Sequence, residues 1–509
     1  MGEETFRDLL ETAFQEHRHQ NALSFLRGGK PETALSYGEL NRDTDRCAHF
    51  FSAAGVEKGD RVVLFLNKSL VFVAAHLALQ KIGAISVPLN PGFKQSEMDY
   101  LLKDADPKLI IIDPEKADMM SRIAPNTRLL AVDTRKPYQD IDFFRSAATA
   151  GSAVDLKADD PGLIIYTSGT TGSPKGAVLT QRNLTCDARN IIEIWEIAAS
   201  DVLCHALPLF HVHGLCFALH TALLAGSAVV LLDQFKPGIV LEVLARKGPQ
   251  KACTVFMAVP AMYAKLMEDP NAGRCQYDHI RLWTSGSAPL LVKDFDRIRK
   301  TFGKEPVERE GMSETGMNFS NPLNGKRKPG SIGLPLPGLA VRIVDPVTFE
   351  DVPDGQVGEL WLKSPAITSG YWRKPAESAA TFTGNWFRTG DLGKVDEEGF
   401  YYLTDRIKHI IITGGENVSA KEVESVINLV EGVVESSVVG LPDEKWGEKV
   451  VAAVVKKAGA DLSPGAIQAF CKARLHDWKC PKEIVFTEEI PKNTMGKVLK
   501  DDVKKFFQG

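Results

Sequence analysis

The chain has 509 residues, and single hydrophobic cores stop growing efficiently beyond roughly 250 to 300 residues, so several structural units are expected. Its 44% hydrophobic and 25% charged residues are ordinary for a globular protein and exclude a disordered or fibrous chain. The formal net charge of -4 provides no broad positive field for nucleic acid or an anionic membrane, so a polyanionic ligand has to be bound locally.

The N-terminus and the cysteines both indicate a cytoplasmic protein. The first residues, MGEETFRDLL, contain no basic region followed by an apolar core and therefore do not predict a secretion signal. The most apolar stretch, residues 222–232, is interrupted by Gly226 and Ser227 and is too short to span a bilayer. None of the eight cysteines belongs to a C-x-x-C pair, which favours reduced thiols.

The first 330 residues alternate short apolar runs with helical ones, which is typical of βαβ units on a parallel sheet. The earlier part predicts strands at residues 62–66, 85–89 and 109–112 and a helix at residues 70–82. The later part predicts alternating strands and helices, beginning with a strand, at residues 228–232, 239–246, 253–259, 261–268, 281–285 and 290–302. We therefore expect an α/β fold class with two stacked, doubly wound α/β subdomains up to about residue 330.

The chain changes character twice after residue 330. Residues 330–404 contain short strands and turns with many Pro and Gly residues, which predict a small β subdomain. Further on, Ser419 and Glu422 have the spacing of a capping box in front of a helix, and strands are expected at residues 433–441 and 450–455. The sequence therefore predicts an N-terminal domain over residues 1–404 and a C-terminal α+β domain over residues 405–509.

The most informative segment is residues 166–176, YTSGTTGSPKG, which follows an apolar strand at residues 162–165. Its three glycines allow backbone amides to turn inward, its five Ser and Thr hydroxyls donate hydrogen bonds, and Lys175 adds a positive charge. These features predict a phosphate-binding loop that leads into a helical run containing Val178 and Leu184. The spacing differs from that of the P-loop, G-x-x-x-x-G-K-[ST].

This loop resembles the signature sequence of the adenylate-forming enzymes, the AMP-forming acyl-CoA synthetase family that includes luciferase and the adenylation domains of peptide synthetases. The resemblance continues, in chain order, through LPLFHVHG at 207–214, GSAP at 286–289, GMSET at 311–315, RTGDLG at 388–393, DRIK at 405–408 and PKNTMGK at 491–497. It implies an ATP-dependent ligase that forms an acyl-adenylate with release of pyrophosphate. The acyl group then passes to the thiol of coenzyme A, and AMP is released.

The resemblance implies four catalytic residues. Lys497 would meet the carboxylate and the α-phosphate as the adenylate forms, and would stabilise the charge of the phosphoryl-transfer transition state. Glu314 and Thr170 would bind Mg²⁺, and His211 would lie next to the bound carboxylate. Alternation places His211 and His213 on one face of an extended segment, but two histidines without further ligands make a poor zinc site. Without the resemblance, Lys497 and Glu314 could also be interpreted as ordinary solvated side chains.

The family pattern also implies the residues that bind the nucleotide and coenzyme A. Asp391 would accept hydrogen bonds from the ribose hydroxyls, with Arg406 reinforcing it. Lys408 matches the hinge of a mobile C-terminal domain, and the loop at residues 414–416 would border the pantetheine tunnel. The other implied cofactor-binding residues are Thr167, Ser168, Gly169, Thr170, Thr171, Gly172, Lys175, Gly286, Ser287, Ala288, Pro289, Glu308, Arg309, Glu310, Gly311, Met312, Ser313, Gly414, Gly415 and Glu416.

One position departs from the family pattern. Relatives place an aromatic residue directly before Gly311 to stack on adenine, whereas this chain has Glu310. Stacking of a base on an aromatic ring contributes roughly 1 to 3 kcal/mol in nucleic-acid complexes. The sequence therefore predicts either weak ATP binding or another platform for adenine, such as the backbone of residues 286–289.

The acid is predicted to be small to medium in size: malonate-like, short-chain, cyclic or aromatic. Residues 311–322 are similar to malonyl-CoA synthetases, but those relatives have an arginine at the position of Lys265, and lysine does not replace the bidentate fork of arginine. Phe319 stands where those relatives tend to have threonine and favours a more apolar pocket. Lys265 is equally interpreted as a solvated helix residue. The implied pocket residues are His211, Val259, Lys265, Gly286, Met317, Asn318 and Phe319.

Two alternative functions stay open at this point. The first is an adenylating enzyme that loads the thiol of a separate carrier protein, and the second is a ligand-binding relative without catalytic activity. For the leading interpretation, the expected cofactors and partners are ATP, Mg²⁺, coenzyme A and a small carboxylic acid. Neither nucleic acid nor integral membrane association is expected, and the expected assembly is a monomer or a homodimer.

Overall fold

The computed structural model describes residues 4–141, 154–167, 173–248, 252–493 and 496–508. The chain divides into two compact units, Met1–Ala340 with Lys363–Phe387 and Val341–Leu362 with Arg388–Gly509. Across the described ranges, no helix combines the length and the apolar character needed to cross a membrane.

The first unit contains a six-stranded sheet that is parallel except at one edge. In spatial order its strands are Arg128–Ala131, Leu109–Ile112, Arg61–Phe65, Ile85–Pro88, Pro161–Thr167 and Lys175–Thr180. Only the last two strands pair antiparallel. The predicted strands at residues 62–66, 85–89 and 109–112 are thereby confirmed.

The helix Leu70–Ile82 has the predicted bounds and is buried on all sides. The Ser69 hydroxyl accepts a hydrogen bond from the Phe72 N–H at its start, and Gly83 ends it in the left-handed conformation at φ 70°. Of its 13 residues, all except Lys81 are buried. A helix without a polar face belongs in the interior, which explains the continuous apolar run in the sequence.

The second sheet of the first unit has nine strands. In spatial order they are Leu334–Pro335, Gly316–Ser320, Val307–Met312, Leu282–Ser285, Val255–Ala258, Val202–His205, Ala228–Leu232, Asn21–Arg27 and Lys30–Ser36. The strands from Val307–Met312 to Asn21–Arg27 are parallel, and antiparallel pairs complete both ends. The two layered sheets confirm the predicted α/β class. The pairing of Asn21–Arg27 with Ala228–Leu232 joins distant parts of the chain, and the sequence pattern does not reveal it.

The helices of the first unit include the three expected in the later part. Residues 239–246, 261–268 and 290–302 correspond to the helices Pro237–Leu244, Pro260–Glu268 and Val292–Phe302. The other α-helices are Phe6–Glu16, Tyr37–Ala53, Gln95–Ala105, Ala117–Ile123, Gln181–Trp195, Thr221–Leu224 and Pro375–Thr381. His213–His220 is a π-helix, and Pro114–Lys116, Tyr138–Asp140 and Ala272–Arg274 are 3₁₀ turns.

The segment that directly follows the predicted phosphate loop is a strand, so the prediction of a helix was wrong for Val178 and right for Leu184, which lies in the helix Gln181–Trp195. Lys175–Thr180 pairs antiparallel with Pro161–Thr167, so Val178 lies in a strand. The helix Gln181–Trp195 begins only after Thr180, whose hydroxyl accepts a hydrogen bond from the Asn183 N–H. A short apolar run does not distinguish a buried strand from the start of a helix, and the antiparallel pairing decides it here.

A five-stranded sheet accounts for the β texture predicted over residues 330–404. Its strands are, in order, Ala340–Val344, Gly358–Lys363, Trp386–Val395 and Phe382–Thr383, with Tyr401–Arg406 paired to Trp386–Val395. Most of its residues belong to the second unit. The antiparallel register of the last pair places Asp391 opposite Arg406, two residues that the family pattern assigns to the ribose.

The rest of the second unit is an α+β fold, as predicted for the end of the chain. Its sheet has the order Glu416–Ser419, Ile410–Thr413, Gly447–Lys456 and Val433–Asp443, with Glu483–Thr487 parallel to Gly447–Lys456. Its helices are Ala420–Ile427, Pro464–Lys472 and Lys500–Lys504, and its 3₁₀ turns are Ile407–His409, Asp477–Lys479 and Lys505–Phe507.

The capping box predicted at Ser419 and Glu422 forms only in part. The Ser419 hydroxyl accepts a hydrogen bond from the Glu422 N–H at 3.2 Å and so begins the helix Ala420–Ile427. The Glu422 carboxylate pairs with Lys479 at 2.8 Å instead of the Ser419 backbone. A charged donor makes a stronger hydrogen bond than a backbone amide, which explains the exchange of partner.

Candidate active site

The two ends of the predicted phosphate loop are held together by a hairpin. Thr167 and Lys175 are opposite each other at the end of the antiparallel pair. Thr167 Oγ1 lies 3.4 Å from both the Lys175 carbonyl oxygen and Glu314 Oε1, so its single hydrogen can serve one of them at a time. The central loop residues lie outside the described residues, and their predicted roles stay predictions; they are Ser168, Gly169, Thr170, Thr171 and Gly172.

Glu314 is a nearly buried carboxylate with one oxygen already held. It lies in the turn between Val307–Met312 and Gly316–Ser320 and is 8% exposed. The Tyr371 hydroxyl donates to its Oε1 at 3.1 Å, and the Thr368 N–H donates to its backbone carbonyl at 2.7 Å. In the part of the chain that the structure describes, no group donates to Oε2. Carboxylate oxygens are ligands that Mg²⁺ prefers, so Glu314 fits the predicted metal.

The histidine motif is a turn that leads into a helix, and the prediction of an extended segment was wrong. His211 lies in the turn, and His213 begins the π-helix His213–His220. Gly214 permits the turn, because a Cβ there would lie 2.0 Å from the Pro208 carbonyl oxygen. Burial lowers the pKa of His211 to about 4 and also lowers the pKa of His213. Both imidazoles are therefore neutral at pH 7.

His213, which the resemblance implies to line the pocket together with His211, contacts the predicted nucleotide platform. Its Nδ1 lies 3.1 Å from the Ser287 hydroxyl, and its Nε2 has no hydrogen-bond partner among the described residues. Ser287 itself has a φ of 67°, a left-handed conformation that is uncommon outside glycine. The residue before it, Gly286, leaves space for the side chain of Arg309.

The histidine turn is anchored by Lys68 and His205. His205 Nε2 lies 2.8 Å from the Gly214 carbonyl oxygen, which only accepts, so this nitrogen carries the hydrogen. His205 Nδ1 is then an acceptor, and Lys68 Nζ lies 2.9 Å from it and 2.8 Å from the His205 carbonyl oxygen. A neutral amine satisfies both acceptors with its two N–H groups. Burial lowers the pKa of Lys68 to about 7.

We expect this buried amine to make stability depend on pH. The pKa of Lys68 is about 7 in the folded protein and about 10.4 in an unfolded chain. Between these values the unfolded chain binds one more proton, so the free energy of unfolding rises with pH by up to about 1.4 kcal/mol per pH unit. Urea unfolding at several pH values from 7 to 10 should show that Lys68→Met lacks this part of the slope. Parallel curves for the two proteins would mean that the folded protein keeps the amine charged.

The strand Val307–Met312 places two carboxylates in different surroundings. Glu308 accepts a hydrogen bond from the Gly330 N–H at 2.9 Å, so its carboxylate also has a structural role. Glu310 is half-buried and accepts a hydrogen bond from Asn318 Nδ2 at 3.0 Å. Gly311 has no room for a side chain, since a Cβ would lie 2.7 Å from the Gly316 carbonyl oxygen.

Arg309, between them, is buried, and its guanidinium group has no hydrogen-bond partner among the described residues. It is 3% exposed, and none of its three guanidinium nitrogens is hydrogen-bonded within the described ranges. The guanidinium carbon lies 5.0 Å from the centre of the Phe217 ring, and a Cβ at Gly286 would lie 2.5 Å from Arg309 Nε. Burial lowers its pKa to about 10, so the group is still charged at pH 7. A buried charge without a partner is costly, and an anionic ligand would relieve that cost.

Asp187 interacts with the same region from the helix Gln181–Trp195. Its Oδ1 accepts a hydrogen bond from the Met317 N–H at 2.8 Å, and Gly316 adopts a φ of 71° where a Cβ would lie 2.6 Å from that oxygen. Burial raises the pKa of Asp187 to about 7, although the Met317 N–H and the charge of Arg309 oppose the shift. Asp187 has no motif of its own in the sequence, because only packing brings it to Met317.

The other predicted acid-pocket residues divide by exposure. Val259, Met317, Asn318 and Phe319 are buried. Asn318 Nδ2 lies within hydrogen-bond distance of Glu310 and of Thr315. Lys265 is exposed in the last turn of the helix Pro260–Glu268, which supports its interpretation as a solvated helix residue.

In the second unit, Asp391 and Arg406 form the predicted pair. Arg406 Nε lies 2.6 Å from Asp391 Oδ1, and Arg406 Nη2 donates to Oδ2 at 3.1 Å. Burial raises the pKa of Asp391, while the charges of Arg406 and Lys497 oppose the shift. Glu359 fixes the turn before Asp391 by accepting the Gly390 N–H at 3.1 Å.

In the second unit, Lys497 is hydrogen-bonded through its backbone to Asn493. The Lys497 N–H donates to Asn493 Oδ1 at 3.0 Å, and the Asn493 N–H donates to the Lys497 carbonyl at 2.9 Å. Two neighbouring lysines are ion-paired: Lys492 with Glu435, and Lys500 with Glu424. Lys492 and Lys500 are therefore not freely solvated, as they would be in a basic tail.

The predicted pantetheine loop is a glycine hairpin of the second unit. Gly414 and Gly415 join Ile410–Thr413 to Glu416–Ser419 and have φ of 62° and 84°. Two consecutive positive φ values are the signature of a type I′ turn, which favours glycine. Glu416 is exposed, and Lys408 lies in the 3₁₀ turn that precedes this hairpin.

Comparison with known proteins identifies two family domains. A family model described as "AMP-binding enzyme" matches residues 10–372. A second, described as "AMP-binding enzyme C-terminal domain", matches residues 422–497. The first-unit residues of the candidate active site all lie within residues 10–372. Lys497 is the last residue of the second match.

Curated relatives and solved structures agree with this assignment. A feruloyl-CoA synthase from Amycolatopsis sp is 34% identical, with 93% of this chain and 94% of that protein covered. The mitochondrial malonate–CoA ligase of Mus musculus is 34% identical, with 88% and 81% covered. ATP-bound MatB from Rhodopseudomonas palustris has a TM-score of 0.92 at 36% identity, with 99% of each chain covered. An o-succinylbenzoate CoA synthetase from Bacillus subtilis, in complex with its acyl-adenylate intermediate, has a TM-score of 0.85 at 28% identity, with 97% of each chain covered.

These findings confirm the predicted fold class and the predicted enzyme class, an AMP-forming acid–CoA ligase, for which ATP, Mg²⁺ and coenzyme A are the expected substrates and cofactor. The similarity extends over nearly the full length of the chain. The chain belongs to the AMP-binding enzyme family.

Proposed function

We propose that the protein joins a small carboxylic acid to coenzyme A through an acyl-adenylate. The observation that carries this proposal is the arrangement at the antiparallel pair Pro161–Thr167 and Lys175–Thr180, which we call the phosphate hairpin. Thr167 and Tyr371 contact the buried carboxylate of Glu314 there, and the Lys175 ammonium lies against the Tyr371 ring. In the first half-reaction the acid carboxylate attacks the α-phosphate of ATP, and pyrophosphate leaves. In the second, the thiolate of coenzyme A attacks the acyl carbonyl, and AMP leaves.

The first unit would bind the triphosphate and the reacting carboxylate. The backbone amides of residues 167–175 and the Lys175 ammonium would bind phosphate oxygens. Glu314, together with Thr170, would hold Mg²⁺, which when bound neutralises charge on the phosphates. The neutral His211 would lie beside the reacting carboxylate and would add no charge that competes with Lys175.

The second unit would supply the remaining groups. Asp391 would accept the ribose hydroxyls with its remaining lone pairs, because Arg406 holds both of its oxygens in a fixed orientation. Lys497 would stabilise the charge at the α-phosphate during the first half-reaction. We propose a functional boundary at residues 404–405 with a hinge at Lys408, and the Gly414–Gly415 turn as part of the path of the pantetheine arm.

For the acid, we propose a molecule with a second anionic group that binds Arg309. The buried guanidinium lacks a partner within the described ranges, and a second carboxylate would satisfy it as a bidentate acceptor. Arg309 was grouped with the nucleotide-binding residues by the family pattern, but its contacts with Phe217 and Gly286 favour a role toward the acid. The malonate–CoA ligase among the relatives acts on an acid of this class.

Glu310 leads to a prediction about adenine. A tyrosine at this position would offer the stacking surface that Glu310 lacks, so we expect Glu310→Tyr to lower the Michaelis constant for ATP by about ten- to a hundredfold. Glu310→Gln is the control, because it removes the charge and adds no ring. Initial rates at varied ATP concentration test this. An unchanged or higher Michaelis constant for Glu310→Tyr would show that adenine is held elsewhere, for example by residues 286–289.

Product analysis with and without coenzyme A tests the proposed function against its alternatives. A ligase releases pyrophosphate when an acid is present, but it releases AMP and forms a thioester only when coenzyme A is added. An enzyme that loads a carrier protein would form adenylate but no thioester with coenzyme A, and a ligand-binding relative would release no pyrophosphate. The acids are malonate, acetate, butyrate, hexanoate, benzoate and cyclohexane carboxylate, and we expect malonate to react fastest.

We further propose that the protein works in the cytoplasm as a monomer or homodimer, without nucleic acid. Support comes from the eight cysteines, all of which lie within the described residues; none forms a disulfide, and six are buried. The net charge of -4 gives no general attraction for nucleic acid.

A further inference from the structure

Tyr371 contacts two groups of opposite charge at the phosphate hairpin. Its hydroxyl donates a hydrogen bond to Glu314 Oε1 at 3.1 Å. The Lys175 ammonium lies 5.3 Å from the centre of its ring, within the range of a cation–π interaction. No motif in the sequence analysis includes Tyr371, and neither half-reaction described above assigns it a role.

The backbone around Tyr371 is fixed to the strand that carries Lys175. The Val178 N–H donates to the Gly370 carbonyl at 3.0 Å, and the Trp372 N–H donates to the Gly176 carbonyl at 2.8 Å. Ala177 and Tyr371 form an antiparallel bridge. The backbone of Tyr371 is therefore held next to the strand Lys175–Thr180 by contacts that do not involve Glu314.

The backbone of Glu314 is fixed to the same segment. The Thr368 N–H donates to the Glu314 carbonyl at 2.7 Å. The Thr368 hydroxyl lies 2.5 Å from the Val178 carbonyl oxygen and 2.9 Å from that of Gly370, and its single hydrogen can serve one of them at a time. Thr368 is 3% exposed, so these hydrogen bonds are shielded from water. Both ends of the contact between Tyr371 and Glu314 are thus held by one short segment.

Lys175 and Glu314 do not pair with each other in the described part of the chain. A direct ion pair would neutralise the two charges that the proposed reaction needs, one for phosphate oxygens and one for a cation. The Tyr371 hydroxyl occupies Oε1 and leaves Oε2 without a donor from the described residues, while the ring offers the ammonium a separate contact.

We propose that Tyr371 is a positioning residue that keeps Glu314 and Lys175 apart and orients each for its own partner. Its hydroxyl orients the Glu314 carboxylate so that Oε2 faces a divalent cation, and its ring face holds the Lys175 ammonium for a phosphate. The proposal rests on the proposed function in one respect, the role of Glu314 as a metal ligand.

Two substitutions at Tyr371 separate its two contacts. Tyr371→Phe removes only the hydroxyl, and we expect the Mg²⁺ concentration for half-maximal pyrophosphate exchange to rise roughly three- to tenfold. The Michaelis constant for pyrophosphate should stay the same, because the ring remains. Tyr371→Leu also removes the ring, and we expect that Michaelis constant to rise as well.

Tyr100→Phe is the matched control. The Tyr100 hydroxyl donates to the Pro174 carbonyl at 2.9 Å, next to Lys175, but has no contact with Glu314. Tyr100→Phe removes one tyrosine hydroxyl from the same region, and we expect it to leave the Mg²⁺ dependence of pyrophosphate exchange unchanged. Binding of Mn²⁺ in the presence of a non-hydrolysable ATP analogue, followed by electron paramagnetic resonance, measures the same weakening for Tyr371→Phe without turnover.

The possible outcomes distinguish failure of the proposed function from failure of the role proposed for Tyr371. Absence of exchange by the wild-type protein with every acid would overturn the proposed function. Wild-type exchange together with unchanged Mg²⁺ dependence and Mn²⁺ binding in Tyr371→Phe would overturn the role of Tyr371 alone, as would an equal shift in Tyr100→Phe. Thr167→Val, which removes the other donor to Glu314 Oε1, is measured in parallel and should shift the Mg²⁺ dependence in the same direction.

Discussion

Replacing Lys497 with alanine is expected to reduce acid-dependent pyrophosphate exchange by at least about a hundredfold, because removal of one group that stabilises transition-state charge typically costs a hundred- to a thousandfold. Formation of the thioester from a supplied acyl-adenylate should remain close to the wild-type rate. In that step the thiolate attacks the acyl carbon, and the bond between this carbon and the phosphate oxygen breaks, so AMP leaves with the electron pair. No bond to phosphorus is made or broken, and the phosphoryl-transfer transition state that Lys497 would stabilise does not occur. Separate assays of the two half-reactions measure both effects.

Lys492→Ala is the control for this prediction. Lys492 belongs to the same segment, so replacing it with alanine changes the charge of the segment by the same amount. Unlike the role assigned to Lys497, its ammonium is ion-paired with Glu435. We expect it to leave both half-reactions unchanged. Equal loss of both half-reactions in Lys497→Ala would contradict the assigned role, since it would indicate a general loss of structure or of nucleotide binding.

Replacing Arg309 with methionine is expected to change acid selectivity. Loss of the buried guanidinium should lower kcat/KM for malonate by at least about a hundredfold, because truncating one partner of a buried charge pair costs several kcal/mol. Rates with butyrate, which has no second charge, should stay the same or rise. The free energy of unfolding should not fall, because the guanidinium makes no hydrogen bond among the described residues and its attraction to Glu310 and Asp187 only partly offsets the cost of burying it.

Arg327→Met is the matched control. Arg327 is half-buried in the same unit, but its guanidinium donates to the backbone carbonyls of Pro322, Leu323 and Glu305. Its removal should lower stability and leave the ratio of malonate to butyrate activity unchanged. Equal losses with malonate and butyrate in Arg309→Met would show that Arg309 supports the fold or the nucleotide and does not bind the acid tail.

The sequence predicted those helices and strands whose start, end and apolar pattern lie within a few neighbouring residues. The helix Leu70–Ile82 has a capping serine, a continuous apolar run and a terminal glycine within a few residues, and its bounds were predicted. The strand Ala228–Leu232 was predicted from its apolar residues. The strand Asn21–Arg27 was not predicted, because its place in the sheet depends on pairing with Ala228–Leu232, far along the chain.

The candidate site shows the same division. Motif resemblance predicts site roles for Glu314, Asp391 and Lys497, because their neighbours in the chain carry the signal. Tyr371 and Asp187 reach the site only through tertiary contacts, with Glu314 and with Met317, and no spacing rule reveals them. Whether a buried arginine has a partner is also a property of the folded structure, so the sequence could place Arg309 in a motif but could not show that it is unpaired.

The exchange of labelled pyrophosphate into ATP, with Mg²⁺ and an acid but without coenzyme A, tests the central claim most directly. It measures the reversal of adenylate formation and does not require coenzyme A. The account predicts exchange that depends on the acid, is fastest with malonate and is lost in Lys497→Ala. Absence of exchange with every acid, or exchange that is independent of the acid, would contradict it.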